Sequence, residues 1–183
     1  MKRYWYAVYT RPQREKKIAS ALNKKGIKAY FPLNKIVDLT TNNKKLNKEA
    51  LFTSYVFVYL AEHELSSVKE MNGVVNFVYW LSKPAVIKQE EIDAVKQLTS
   101  AYHNIRLEKT VVNVHDTVRI IDEPIISFNE NSASIKFQTL KIVLPSLGYT
   151  MIAERDKVNE EVSQQETILT NFFPKRLNSL FSN

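Results

Sequence analysis

Tyr55-Val56-Phe57-Val58-Tyr59-Leu60 is a strictly alternating run of aromatic and aliphatic residues. Successive side chains of a strand point to opposite faces, so Tyr55, Phe57 and Tyr59 share one face and Val56, Val58 and Leu60 the other. Both faces are apolar. Such a strand lies at the centre of a sheet, or its aromatic face meets something outside its own domain. The apolar run from Tyr55 to Ala61 falls far short of the roughly 20 residues a membrane-spanning helix needs.

Upstream, Trp5-Tyr6-Ala7-Val8-Tyr9-Thr10 has the same aromatic and β-branched character and reads as a strand that Pro12 stops. Residues 13–25 read as a helix: Ile18, Ala21 and Leu22 form an apolar stripe, while Gln13, Lys17, Ser20 and Lys24 lie on another face. Gly26 follows as a C-terminal cap, and Ile27 to Phe31 reads as a strand ended by Pro32. Residues 34–50, with Thr41-Asn42-Asn43-Lys44-Lys45 in the middle, read as a protruding basic hairpin.

Downstream, Glu64 to Asn72 reads as a helix ended by Gly73, and Val74 to Trp80 as one strand. Beyond Pro84, Glu90 to Tyr102 reads as a helix with Ile92, Val95 and Leu98 on one side and the acidic pair Glu90-Glu91 in its first turn, as the helix dipole prefers. This order predicts an α+β domain over residues 1–102, with helices packed on a mostly antiparallel sheet. Residues 103–112 lack a clear period and read as a linker. Short strands at Thr117 to Ile121, Ser134 to Phe137, Lys141 to Leu144 and Thr150 to Ala153, with turns at Pro124, Asn129 to Asn131 and Pro145 to Gly148, predict a small β-barrel over 113–153. A tail, 154–183, completes the chain.

Composition narrows the function classes. The chain of 183 residues has no cysteine, which removes disulfides, thiolate zinc sites and cysteine nucleophiles and suits a reducing cytoplasm. No signal peptide is visible after Met1-Lys2-Arg3. His63, His103 and His115 are scattered, without metal-ligand spacing, and neither a phosphate loop nor a nucleophile elbow is present. The expectation is a cytoplasmic protein that is not an enzyme and needs neither cofactor nor metal nor membrane. The net charge of +7 is unevenly spread: residues 1–60 hold 13 Lys/Arg against three Asp/Glu, and the rest of the chain is slightly acidic. A basic first third suits an anionic partner such as nucleic acid, although solvated lysines are the ordinary alternative.

Taken in order, Trp5-Tyr6-Ala7-Val8-Tyr9, the helix with Glu15-Lys16, Gly26 before Tyr30-Phe31-Pro32, Leu51-Phe52 with Tyr55-Val56-Phe57-Val58, and Gly73-Val74-Val75 with Phe77-Val78 and Pro84 resemble the N-terminal domain of the NusG family. The resemblance covers about residues 4–100. It is nearest to specialised paralogs: RfaH-type regulators and antiterminators of polysaccharide operons in Bacteroides-like bacteria. Residues 113–153 resemble the family's KOW barrel through Val118-Arg119-Ile120-Ile121 and Pro124, but lack the glycines of the KOW loop; Asp116, Glu123 and Ser127 to Glu130 stand there instead.

The resemblance implies a transcription elongation and antitermination factor, operon-specific in its action. It would bind the clamp helices of bacterial RNA polymerase and suppress pausing or termination by favouring one polymerase conformation. The polymerase-binding patch it implies comprises Tyr9, Phe52, Tyr55, Phe57, Trp80, Ile92 and Val95, with Ala7 beside them. A nucleic-acid-binding edge would comprise Arg11, Arg14, Lys16, Lys17, Lys24 and Asn72, facing the non-template DNA strand or nascent RNA. Ser66-Ser67 would lie near a second polymerase contact, and the C-terminal barrel would offer a site for a ribosomal protein. A general RNA-binding or ribosome-associated module, and a plain interaction adaptor, are the alternatives.

Overall fold

The computed structural model describes residues 2–37, 46–111, 116–129 and 132–156. Strand β1 (Tyr4–Thr10) leads to helix α1 (Glu15–Lys24), followed by strands β2 (Lys28–Tyr30), β3 (Leu33–Val37), β4 (Leu46–Ala50) and β5 (Tyr55–Leu60). A 3-10 turn over Glu62–Glu64 precedes the short helix α2 (Leu65–Lys69). Then come β6 (Val74–Phe77), β7 (Tyr79–Trp80), β8 (Lys83–Pro84), β9 (Val86–Ile87) and helix α3 (Gln89–Ala101). The chain continues through β10 (Arg106–Lys109), β11 (Arg119–Asn129), β12 (Ser132–Leu144) and β13 (Tyr149–Asp156).

The first sheet runs β2-β5-β1-β6, with β9 also on β1. Its alternation is as the sequence reads: β1 and β5 lie antiparallel, with Ala7 opposite Phe57 and Val8 opposite Val56. On one face Tyr6, Val8, Val56, Val58 and Leu60 pack with Ile18, Ala19 and Leu22 of α1 and Val68 of α2. On the other, Trp5, Ala7 and Phe57 pack with Ile92, Val95 and Leu98 of α3 and, beyond them, with Leu140, Ile142, Leu144 and Met151 of the second sheet. Both faces of the central strands are therefore covered, by different layers. Burial of each large aliphatic or aromatic side chain contributes roughly 1.5–3 kcal/mol.

Helix α1 ends where Gly26 takes φ +79°. The Ile27 amide donates to the Leu22 carbonyl at 3.0 Å and the Gly26 amide to that of Asn23 at 3.0 Å, which closes the helix with a Schellman cap. The expected hairpin is present as paired β3 and β4; its tip, 38–45, lies outside the described residues. Asn34 anchors it. The side-chain amide of Asn34 donates to the Ile105 carbonyl at 2.7 Å and its oxygen accepts the Ile105 amide at 3.0 Å.

Four expectations need correction. Glu64 to Asn72 is a 3-10 turn and one short helix that ends at Lys69. Val74 to Trp80 is two strands: Val78 donates to the Ala7 carbonyl, after which β7 leaves the sheet and folds back on β8. The turn between them, Leu81-Ser82, has φ +47° and +64°, a mirror-image hairpin turn without the usual Asn-Gly signature. Residues 103–112 contain β10, which pairs with β13, so part of the expected linker belongs to the second sheet. Pro124 stands inside β11 opposite Gln138. Proline is tolerated there because β11 is an edge strand, where a missing N–H breaks no ladder on its outer side.

The second sheet runs β10-β13-β12-β11, antiparallel throughout, and is open among the described residues, where a closed barrel was expected. The expected strands Ser134 to Phe137 and Lys141 to Leu144 are parts of the single strand β12. The tail beyond Asp156 lies outside the described residues, as do His115, Glu130 and Asn131.

Candidate interaction surface

The seven residues of the expected polymerase patch fall on one side of the first sheet but differ in exposure. Phe52, Phe57, Ile92 and Val95 are buried, with Ala7, in the core that includes the second sheet. Tyr55 is half-buried at its border. Tyr9 (42% exposed) and Trp80 (60%) stand outside it. Tyr9 meets Tyr55 edge-on with ring centroids 5.4 Å apart, so the aromatic row continues from the covered zone to the surface.

What covers the patch is the β12–β13 turn with the strands that flank it. Phe52 packs edge-to-face on Tyr149. Ala7, Phe52, Phe57, Leu147 and Tyr149 surround a cavity of about 50 Å³, space that a side chain larger than Ala7 would occupy. Beside it opens a cleft of about 400 Å³, lined by Trp80, Val86 and Lys88 on one side and Pro145, Leu147 and Gly148 on the other.

Polar contacts cross this joint at Glu91 and at Lys88. The Ser146 amide donates to both carboxylate oxygens of Glu91, at 3.0 and 3.1 Å. The Lys88 ammonium donates to the Asp116 carbonyl at 2.8 Å. Glu91 is fully buried. Burial pushes its carboxyl above the ordinary value, against the lowering effect of the Ser146 hydroxyl and amide, of Lys88 and of the Leu147 amide. Sequence reading took Glu90-Glu91 together as a helix start. Only the layer that covers α3 distinguishes them: Glu90 is exposed and Glu91 is sealed.

The basic edge is exposed throughout: Arg11, Arg14, Lys16, Lys17, Lys24 and Asn72 all face solvent. None of its cations forms an ion pair among the described residues. Three of the six are brought together. The Arg11 amide donates to the Gly73 carbonyl at 2.9 Å, and a side chain at Gly73 would lie 3.8 Å from Cβ of Arg14, so Arg11, Arg14 and Asn72 share one corner. Lys16 and Lys17 lie in the first turn of α1, next to this corner, whereas Lys24 is at the far end of the helix. Glu15 ties the corner to the patch: it is buried, and its Oε1 accepts the Ser54 amide at 2.7 Å, which fixes the loop between Phe52 and Tyr55. Sequence reading missed this role because an acid in a first helical turn is explained by the dipole alone. Ser66 and Ser67 are exposed on α2.

Among the described residues, no cluster of His, Cys, Asp or Glu could hold a metal ion, and no helix is long and apolar enough to cross a membrane.

Comparison with known proteins supplies the family. The family model described as "Transcription termination factor nusG" matches residues 3–96. The NusG transcription termination/antitermination protein of Pseudomonas aeruginosa is 25% identical over 180 residues, covering 92% of this chain and all of that protein. The protein of the same description from Borreliella burgdorferi is 26% identical over 181 residues, covering 85% of this chain and 96% of its own length. Among solved structures, one described as "Domain interaction in Thermotoga maritima NusG" aligns over 87% of this chain with 19% identity and a TM-score of 0.45. The chain belongs to the NusG family of transcription termination and antitermination factors.

Proposed function

We propose that the protein binds bacterial RNA polymerase through the aromatic face of its first sheet and suppresses pausing or termination, in an operon-specific manner. Tyr9, Phe52, Tyr55, Phe57, Trp80, Ile92 and Val95 form the polymerase surface. The clamp helices are its target, and binding favours the clamp conformation of an actively transcribing enzyme. The exposed corner of Arg11, Arg14 and Asn72, with Lys16 and Lys17 beside it, meets phosphates of the non-template DNA strand.

One observation carries this reading. The first sheet has a second apolar face, and its cover comes from another sheet that leaves a cleft at the border. A domain that binds nothing on that face has no reason to carry an aromatic row running out to exposed Tyr9 and Trp80. The second sheet therefore acts as a removable cover, and polymerase competes with it for the same residues.

Co-purification with bacterial RNA polymerase tests the reading, with wild type compared against the Tyr55→Ala, Trp80→Ala double variant. Wild type is retained and the variant is lost. Undiminished retention of the variant would remove the patch from the account; no retention of wild type, even with the cover detached, would remove the function.

A further inference from the structure

Glu91 is a carboxylate with no exposed surface, in the second turn-facing layer of a joint that is otherwise apolar: Ile92, Val95, Leu98, Leu144 and Met151 belong to the same core. Its partners across the joint are the hydroxyl and backbone amide of Ser146 and the backbone amide of Leu147. Among the described residues no Lys or Arg forms an ion pair with it, and Lys88, one turn earlier, directs its ammonium to the Asp116 carbonyl.

A carboxylate offers about four acceptor positions, and the Ser146 and Leu147 donors that fill most of them are neutral. Taking an ionised group out of water is costly, and neutral donors without a counter-ion offset that cost only in part. The cost exists only while the second sheet is docked. Once the Pro145–Gly148 turn lifts away, α3 faces solvent and the carboxylate is hydrated. The upward shift of its proton affinity in the docked state has the same sign.

We propose that Glu91 sets the strength of the cover: its buried, unpaired charge opposes docking of the second sheet and so keeps the α3 face available to a competing partner. This rests on the reading of that face as a partner surface, but the opposition between charge and cover is a property of the chain alone. Charged and titratable groups near the joint are Lys88 and Tyr79 on the side of the first sheet, and Asp116, Lys109, Tyr149 and Tyr55 around the turn.

The chain has no cysteine, so a pair introduced at the exposed positions Lys69 and Lys109 takes spin labels without interference. Distance distributions measured on the full chain, without polymerase, give the docked and undocked populations for wild type, Glu91→Met and Glu91→Gln. Methionine keeps the side-chain length and removes the charge. The undocked fraction should fall about fivefold in Glu91→Gln, which removes the charge and keeps an acceptor for the Ser146 amide; in Glu91→Met, which removes the acceptor as well, it should fall less. An undocked fraction in Glu91→Gln equal to or above that of wild type would overturn the proposal and make Glu91 an ordinary clamp. Because polymerase is absent, this outcome is independent of whether the face binds polymerase; a tighter cover together with weaker polymerase retention supports both.

Discussion

The ring of Phe52 meets the ring of Tyr149 edge-to-face, with centroids 5.7 Å apart and planes at 80°. Phe52 belongs to the loop that precedes the central strand β5, and Tyr149 opens β13 of the second sheet. An edge-on aromatic pair adds about 0.5–1.5 kcal/mol beyond the apolar area it covers. This contact stands at the middle of the cover over the proposed partner surface.

Tyr149→Ala should therefore loosen docking without unfolding the first sheet, whose two-sided core keeps α3 on one face. The expected loss of docking is about 2 kcal/mol. Amide hydrogen exchange reads it: faster exchange in α3, on the covered face, and unchanged exchange in α1, on the opposite face. Equal change on both sides would mean that the variant damages the fold and not the cover.

Gly73 holds the basic corner. Its φ is +98°, and an added Cβ would lie 3.2 Å from Cδ1 of Ile18. Both the conformation and the space favour glycine, so Gly73→Ala should lower stability by about 1–3 kcal/mol, measured by denaturant unfolding. Gly26, at φ +79° with open space around it, should lose only about 1 kcal/mol on the same substitution. Equal losses at both would show that the contact with Ile18 relaxes without cost.

Asn34→Ala removes both hydrogen bonds to Ile105 and leaves that backbone amide and carbonyl buried without partners. Each unmet group costs about 1–3 kcal/mol, so a loss of about 2–4 kcal/mol is expected. Thermal unfolding of the full chain measures it. A shift of less than 1 °C would mean that water replaces the side chain.

The contrast between the two sheets shows what is legible in a sequence. The strands β1 and β5, the stripe of α1 and the cap at Gly26 depend on neighbours a few residues away, and alternation or helical spacing exposes them. The Leu81-Ser82 turn does not announce itself, since neither residue is a usual left-handed one. β12 was split into two strands and Pro124 taken as a turn, because local punctuation says nothing about which strand forms a sheet edge. The patch was legible as apolar residues, but its cover was not. That Phe57 shares a core with Leu140 and Ile142 depends on packing between segments more than 80 residues apart. Glu91 is the clearest instance: its place in the first turn of α3 is explained twice, by the dipole in sequence and by Ser146 in space.

The Arg11→Ala, Arg14→Ala variant should weaken capture by paused transcription complexes, and more so at low salt. Exposed cations that neutralise phosphates release counterions, so affinity falls with ionic strength in proportion to their number. Filter retention of labelled single-stranded DNA across salt concentrations gives the slope, which should be shallower by about 1.4 in the variant. Parallel lines would remove the corner from DNA contact. Lys24→Ala, at the other end of α1, serves as a control for net charge.

The closing balance should also depend on pH, with a sign fixed by Glu91. Its carboxyl binds a proton more tightly when docked than at the ordinary value of 4.5 expected once hydrated. Docking is then favoured in full below about pH 4.5, and that contribution is lost as pH rises through the raised value. Across this window the undocked fraction of wild type should increase with pH, read from the same pair of spin labels. In Glu91→Met the increase should vanish. A wild-type curve that falls with pH, or one that Glu91→Met reproduces, would show that another group governs the joint.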